Sequence, residues 1–247
     1  MNRIALLALI ASFSVTAQAE LTVDEIIANS IETRGGYEAI KAIDSARFTG
    51  TANFGGAQAP VQMEWARPNK VRMEFEVQGM TIIQSYDGEQ GWAIMPLLGK
   101  TEPEPMAEDQ LKEIQQQADL DGEFVDYREK GHQIELLGQE EVDGTAAYHL
   151  KITRDSGDVA HVYVDDEYFL PFKQVSKTSR QGLEITLSTT IGDYKEVAGV
   201  LMPHSFESTV EGAPAGQTIV IDQVETGIDL PAAHFAMPAV ETATEAE

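Results

Sequence analysis

The chain has 247 residues and is strongly acidic, with 41 Asp and Glu against 17 Lys and Arg and a formal net charge of −24. The phosphates of nucleic acid and anionic lipid headgroups repel such a surface, which argues against nucleic-acid binding and against a basic face lying on lipid. The charge favours basic protein partners or neutral acyl chains held away from the surface, although solubility alone is an equal explanation. Cysteine is absent, so disulfides and lipid-modified cysteines are excluded.

The N-terminus has the features of a secretory signal peptide. Arg3 precedes an apolar run over residues 4–15, and the small residues Ala17 and Ala19 follow, as before a cleavage site. The run is shorter than the ~20 residues that a membrane-spanning helix needs. We therefore predict that residues 1–19 are removed on export to the periplasm, which leaves a soluble, non-lipidated protein. Loss of Arg3 changes the formal net charge to −25.

The rest of the chain predicts one domain, over residues 20–238, followed by a disordered acidic tail over residues 239–247. The domain begins with a helix. Thr22 and Glu25 have the spacing of a capping box, and the apolar residues that follow recur at helical spacing as far as Ile31. This helix should end at Gly35 and Gly36, and a second, short helix should follow over residues 37–43.

Alternating apolar and polar residues dominate from Ala46 onward, and short turns separate the runs. This pattern predicts an antiparallel meander of eleven or twelve strands. The predicted strands lie near residues 46–55, 59–66, 70–78, 80–87, 90–95, 132–142, 146–154, 158–165, 170–179, 183–197, 200–211 and 217–226. Several strands have one clean apolar side, so the sheet needs a cover on that face.

The segment between residues 100 and 126 interrupts the meander. Two prolines near Glu102 precede a run of strong helix formers over residues 107–120, in which Leu111 and Ile114 lie on one apolar stripe. We interpret this helix as a lid over the open mouth of the sheet. An ordinary amphipathic helix packed permanently on a barrel core explains the pattern equally well.

Three motifs occur in an order that resembles the LolA/LolB-like family of outer membrane lipoprotein-sorting proteins. They are Arg-Pro-Asn at residues 67–69, Asp87-Gly88 followed by Trp92 and Pro96, and Ala-Ala-His-Phe-Ala-Met-Pro at residues 232–238. The resemblance implies a mainly β fold, an incomplete antiparallel β-barrel of the LolA-like half-barrel type, covered by an N-terminal helix and a lid helix. It also implies a carrier that binds the acyl chains of lipoproteins or lipids on the way to the outer membrane. Inner-membrane donor and outer-membrane acceptor proteins are then candidate partners.

The resemblance also implies site residues. Arg67 matches the family arginine before Pro-Asn, which is thought to hydrogen-bond the lid and gate it; the alternative is an arginine that ends a strand in solvent. Leu111 and Ile114 are the candidate lid residues. Plain core packing is the default explanation for the candidate cavity lining, which is Trp65, Val71, Met73, Phe75, Val77, Ile82, Trp92, Ile94, Met95 and Leu97.

The sequence gives little sign of metal-binding or catalytic motifs. The five histidines are scattered without zinc-site spacing, and residues 119–126 resemble a calcium loop but have Gly122 at a ligand position. No Gly-x-Ser-x-Gly motif or glycine-rich phosphate loop occurs, so we expect neither an enzyme nor a cofactor. Two functions remain: a lipid or lipoprotein carrier, and an envelope lipid-sensing or interaction module that uses the same cavity without transfer.

Overall fold

The computed structural model describes residues 21–180, 183–213 and 216–239. The predicted signal peptide and residues 240–247 of the predicted tail lie outside this range. The described helices are α1 (Val23–Thr33), α2 (Tyr37–Lys41) and α3 (Glu108–Gln117). None of the helices described is long and apolar enough to cross a membrane.

Helix α1 begins as the capping box predicts. The backbone N–H of Glu25 donates to Thr22 Oγ1 at 3.3 Å, and the backbone N–H of Thr22 donates to Glu25 Oε2 at 2.8 Å. Two otherwise unpaired N–H groups of the first turn are thereby satisfied. The helix ends before Gly35, whose positive φ of 122° and close approach to the Gly199 carbonyl both require glycine.

Fifteen strands lie within the described residues. Their bounds are β1 (Ser45–Phe54), β2 (Ala57–Ala66), β3 (Lys70–Val77), β4 (Met80–Tyr86), β5 (Gly91–Met95), β6 (Lys100–Pro105), β7 (Gln133–Val142), β8 (Thr145–Thr153), β9 (Val159–Asp165), β10 (Pro171–Arg180), β11 (Leu183–Gly192), β12 (Lys195–Val197), β13 (Val200–Met202), β14 (Ser205–Val210) and β15 (Gln217–Thr226). Two 3₁₀ turns, Pro96–Leu98 and Ala232–His234, complete the described elements.

Thirteen of these strands form one antiparallel sheet in the order β6-β5-β4-β3-β2-β1-β15-β14-β11-β10-β9-β8-β7. Most strands pair with the next strand in the chain, but β11 pairs with β14 beyond the intervening β12 and β13, and β15 returns to pair with β1. Strands β6 and β7 are the two edges and do not pair with each other, so the barrel is incomplete. The predicted fold class, an open antiparallel barrel covered by helices, is confirmed.

The strand prediction missed two features. Strand β6 contains Pro103 and Pro105, which lack N–H groups, and such residues are tolerated because β6 is an edge strand. The predicted strands over residues 183–197 and 200–211 are each divided, and their inner ends form the separate hairpin of β12 and β13. The N–H of Leu201 donates to the Arg34 carbonyl at 2.8 Å, which attaches this hairpin to the end of α1.

The sheet has two different faces. The side chains of residues paired across antiparallel strands point to the same face of the sheet, so each row of paired residues can be assigned to one face. The inner face is the one packed against the helices. Its core has two clusters, one of which includes Met63, Met73 and Ile114 beside α3, and the other Ile26, Leu150 and Val164 beside α1. Ile31 of α1 packs against both clusters and joins them.

Candidate functional site

The lid helix α3 lies across one row of the inner face. The row pairs Ala46 with Trp65, Trp65 with Val71, Val71 with Tyr86, and Tyr86 with Gly91. Trp65 Nε1 donates to the carbonyl oxygen of Gln117, the last residue of α3, at 2.7 Å. Further along the row, Gln115 Nε2 donates to the Tyr86 hydroxyl at 3.3 Å. Helix α3 is therefore fastened to β2 and β4 by polar groups.

Gly91 sets how closely the lid approaches the sheet. A β-carbon at this position would lie 2.8 Å from Leu111 Cδ1 and 3.0 Å from Met106 Sδ. Any larger residue would push against the apolar side of α3, on which Leu111 is partly buried and Ile114 is 3% exposed. The two predicted lid residues thus both face the sheet.

Most of the predicted cavity residues share the inner face. Val71 and Met73 are buried, and Trp65, Phe75 and Ile82 are partly buried. The alternation of side chains places two further predicted residues, Val77 and Met95, on the same face. In the structure, the protein's own side chains fill the part of this face that lies beneath α3.

Three predicted cavity residues lie elsewhere. Trp92 pairs with Ser85, and Ile94 with Ile83, in rows of the outer face. Leu97 is 44% exposed in the 3₁₀ turn between β5 and β6. The alternation in β5 identifies Trp92 and Ile94 as a pair on one face. It cannot say which face, because that depends on the register with β4.

Arg67 contacts the segment after the lid rather than α3 itself. Its guanidinium binds both carboxylate oxygens of Asp121, with Nη1 at 3.0 Å from Oδ2. It also donates to the carbonyls of Ile40, at 3.2 Å, and Ile43, at 2.9 Å, at the end of α2. The Arg67–Pro68 peptide bond is cis. Arg67 therefore joins the sheet, α2 and the loop after α3. The hydrogen bond to the lid helix itself that the resemblance implies is not among its contacts with the described residues, and a gating role for Arg67 stays a prediction.

Asp121 lies at the centre of this polar group, and its side chain is 5% exposed. Lys41 Nζ is a second cation, at 3.0 Å from Asp121 Oδ2 and 2.9 Å from Asp126 Oδ2. Burial alone would raise the pKa of Asp121, but hydrogen bonds from Arg67 and Lys41 outweigh it, and the pKa is lowered. We call Arg67, Lys41, Asp121 and Asp126 the Asp121 cluster.

The carboxylates of the segment that resembles a calcium loop are paired with cationic and hydroxyl side chains, several of them in the Asp121 cluster. The carboxylate of Asp121 is bound by Arg67 and Lys41, and that of Asp126 by Lys41 and Tyr37. Lys130 forms an ion pair with Asp119 at 2.7 Å. In the described ranges of the chain, no group of three or more His, Asp or Glu side chains is arranged to hold a metal ion.

The C-terminal segment covers part of the outer face, which sequence reasoning did not foresee. Phe235 is fully buried, and its carbonyl oxygen accepts hydrogen bonds from Trp92 Nε1 at 2.8 Å and from Ser85 Oγ at 2.9 Å. Next to it, His234 contacts the buried carboxylate of Glu64 at 2.5 Å. The motif at residues 232–238 was recognised, but no sequence signal located its binding surface.

Two cavities open at the end of the sheet where the β2–β3 turn lies. Both are lined by Pro68 and Asn69. The first has a volume of about 360 Å³ and lies between α3, the loop after it and the β8–β9 turn, where Gln116 Nε2 donates to Asp158 Oδ2 at 2.8 Å. The second, of about 470 Å³, extends to the C-terminal segment. None of the predicted cavity-lining residues borders either cavity, so neither is the predicted one.

Solved structures of similar fold cover nearly the whole described chain. A domain from Vibrio parahaemolyticus, named for outer membrane lipoprotein sorting, is 15% identical with a TM-score of 0.57, over 86% of this chain and 95% of that one. A LolA superfamily protein from Nitrosomonas europaea is 14% identical with a TM-score of 0.58, over 88% and 98%. A DUF1329 family protein from Desulfovibrio piger is 12% identical with a TM-score of 0.60, over 87% and 97%.

No model of a known protein family matches the sequence, and no curated protein matches it. At identities this low, the likeness is one of fold. The chain has the LolA-like fold, as the resemblance of its motifs implies.

Proposed function

We propose that the protein is a periplasmic carrier that binds the acyl chains of a lipid or lipoprotein against the inner face of its open barrel. The chains would lie along Phe75, Ile82, Met73 and their neighbours after the lid helix moves away. Such binding needs no reaction, because each CH₂ group transferred from water to an apolar site contributes about 0.8 kcal/mol.

The main support for this proposal is the weak attachment of helix α3 to the sheet. Helix α3 has a single buried residue, Ile114, and it is joined to the rest of the molecule by side-chain hydrogen bonds at Trp65, Tyr86 and Asp158. Two of these hydrogen bonds are exposed and the one at Tyr86 is half-buried, and hydrogen bonds of this kind contribute only about 1 kcal/mol each. A cover of this construction can be displaced without unfolding the sheet, and its removal exposes an apolar face.

The flexible methionines of the inner face suit a ligand of variable shape. Met63 and Met73 are paired across β2 and β3 at the centre of the face, and Met106 lies beside the lid. Unbranched thioether side chains can rearrange around different hydrocarbon chains at low cost. The same face could therefore be closed by protein side chains at rest and occupied by acyl chains in transit.

A transfer experiment tests the proposal. Donor liposomes containing a fluorescent triacylated peptide are incubated with the mature protein and with acceptor liposomes. A carrier is expected to extract the peptide as a soluble complex and to speed its appearance in the acceptor. Binding without transfer would support the sensing alternative, and failure to bind would contradict both functions.

A larger side chain at Gly91, beneath helix α3, provides a variant for the same experiment. Gly91→Val adds a β-carbon 2.8 Å from Leu111 Cδ1 and 3.0 Å from Met106 Sδ, so it should hold α3 away from the sheet and speed uptake of the acylated peptide. Gly99→Val, in the β5–β6 turn, has no heavy atom within 4 Å of the added β-carbon and serves as control, although its positive φ adds local strain. Equal uptake by both variants would contradict the role of α3 as the cover.

A further inference from the structure

Helix α1 carries a buried hydroxyl group that no described residue hydrogen-bonds. Ser30 is fully buried, and its Oγ has no hydrogen-bond partner within the part of the chain that the structure describes. Ser30 shares its helix face with Ile26 and Ile27, which are core residues. A buried hydroxyl that makes no hydrogen bond is destabilising, so the position calls for an explanation.

Arg34 lies one turn later on the same face of α1, and most of its hydrogen-bonding capacity is also unused. Its guanidinium is partly buried and donates one hydrogen bond, from Nη1 to the Asp121 carbonyl oxygen at 3.2 Å. With the described residues it forms no ion pair, because the Asp121 carboxylate is bound by Arg67 and Lys41. Five N–H donors are available on a guanidinium, so most of those of Arg34 have no acceptor among the residues that the structure describes.

The described residues around Arg34 supply no balancing negative charge at contact distance. Burial lowers the pKa of Arg34, and the more distant carboxylates of Asp121 and Asp119 partly oppose that effect. The hydroxyl of Tyr194 donates to the Pro171 carbonyl at 2.6 Å, and burial raises the pKa of Tyr194 to about 12, so this group stays neutral. The polar groups left without partners here, the Ser30 hydroxyl and most of the Arg34 guanidinium, are therefore mainly hydrogen-bond donors.

We propose that Ser30 and Arg34 bind the acid group of an acyl ligand, a carboxylate or a phosphate, while its hydrocarbon chain lies on the inner face. This inference rests on the proposed function and narrows its ligand to anionic lipids. An oxyanion has several acceptor sites, so it satisfies both the guanidinium and the hydroxyl and neutralises the buried charge.

Calorimetric titration with palmitate, methyl palmitate and palmitoyl lysophosphatidate tests the proposal at a pH where the acids are ionised. The wild-type protein should bind at least one acid about tenfold more tightly than the ester, as expected for a charge-assisted hydrogen bond. A preference for palmitate identifies a carboxylate ligand, and one for the lysophosphatidate identifies a phosphate. Arg34→Met should bind acid and ester equally, and Arg34→Lys should keep part of the preference.

Thermal unfolding separates this role from a structural one. Arg34→Met and Ser30→Ala should remain folded and be about as stable as the wild type without ligand, because Ser30→Ala removes an unpaired buried hydroxyl and Arg34→Met removes a partly buried charge that makes one hydrogen bond. Palmitate should raise the Tm of the wild type and not that of Arg34→Met. Equal binding of acid and ester by the wild type would overturn the inference alone, whereas no binding of either would overturn the proposed function as well.

Discussion

The indole N–H of Trp65 donates to the backbone carbonyl of Gln117 at 2.7 Å and so holds the C-terminal end of the lid helix. The last carbonyls of a helix have no partner within it, and this bond satisfies one of them. On the opposite face, the indole of Trp92 makes a matching bond of 2.8 Å to the Phe235 carbonyl. The two tryptophans thus fasten two covering segments, one on each face of the sheet.

Trp65→Phe is expected to loosen the lid while leaving the sheet intact. The ring would still pack edge-on against Phe48, whose centroid is 5.1 Å away, but the bond to Gln117 would be lost. The free energy of unfolding should fall by about 1 kcal/mol, and amide hydrogen exchange should become faster in the last turn of α3. Mass spectrometry of exchange in peptides containing residues 111–118 measures this.

Trp92→Phe is the matched control for that variant, since it removes the same kind of bond. Here faster exchange is expected over residues 232–238, with α3 unchanged. If both variants accelerate exchange in both segments alike, the two covers are coupled and the lid is not an independent unit.

Leu111→Asp should expose apolar surface of the inner face. A carboxylate facing Met106 and Gly91 is poorly solvated, so α3 would tend to leave the sheet. Fluorescence of a dye that binds exposed hydrophobic patches should rise. Lys112→Asp introduces the same residue at the next position, where the side chain is 55% exposed, and should leave the signal unchanged. No increase for Leu111→Asp would show that the helix covers nothing.

Arg67→Leu should alter the release of bound lipid without preventing folding. The change removes the bidentate contact to Asp121 and the hydrogen bonds to Ile40 and Ile43, while Lys41 still holds the carboxylate. The expected loss is about 2 to 3 kcal/mol of unfolding free energy, because a buried charge loses a partner. Transfer of the fluorescent acylated peptide should become faster.

A double variant checks the physical reason for this effect. Arg67→Leu combined with Asp121→Leu removes both charges, so it should recover part of the stability that the single change loses. A single variant that unfolds, with no effect specific to transfer, would count against a gating role for Arg67.

Sequence periodicity located most of the sheet because alternating side chains are a local property of each strand. The face that each strand presents is a property of the pairing, and there the prediction was incomplete. Ile82 and Ile83 are adjacent, so one must face inward and one outward; only the register Phe75–Ile82 shows that Ile82 is the inner one. The same dependence places Trp92 and Ile94 on the outer face.

The polar parts of the site were harder to foresee. Arg67 was singled out through a family motif, but its partner Asp121 lies 54 residues away and had been considered as part of a calcium-like loop. Ser30 and Arg34 gave no signal, since a serine and an arginine near a helix end are common. Their significance depends on which groups lack partners, and that is visible only after the chain is folded.

Acidification should destabilise the protein through Asp121. Because the pKa of this carboxyl is lowered in the folded state from its usual value of 3.8, folding favours the ionised form. Its contribution is fully present above the unfolded-state pKa and is lost as the pH falls through the lower pKa of the folded state. Denaturant unfolding of the wild type between about pH 5 and pH 2.5 should therefore show falling stability.

Asp121→Asn should flatten that decline, because an amide does not titrate. The variant should also be less stable than the wild type near neutral pH, by about 2 kcal/mol, since Arg67 and Lys41 lose their buried counter-charge. Asp222→Asn removes a carboxylate from an exposed position of β15 and should follow the wild-type curve. If Asp121→Asn declines as steeply as the wild type, other carboxylates cause the acid instability, and the Asp121 cluster contributes little to the attachment of the loop after the lid.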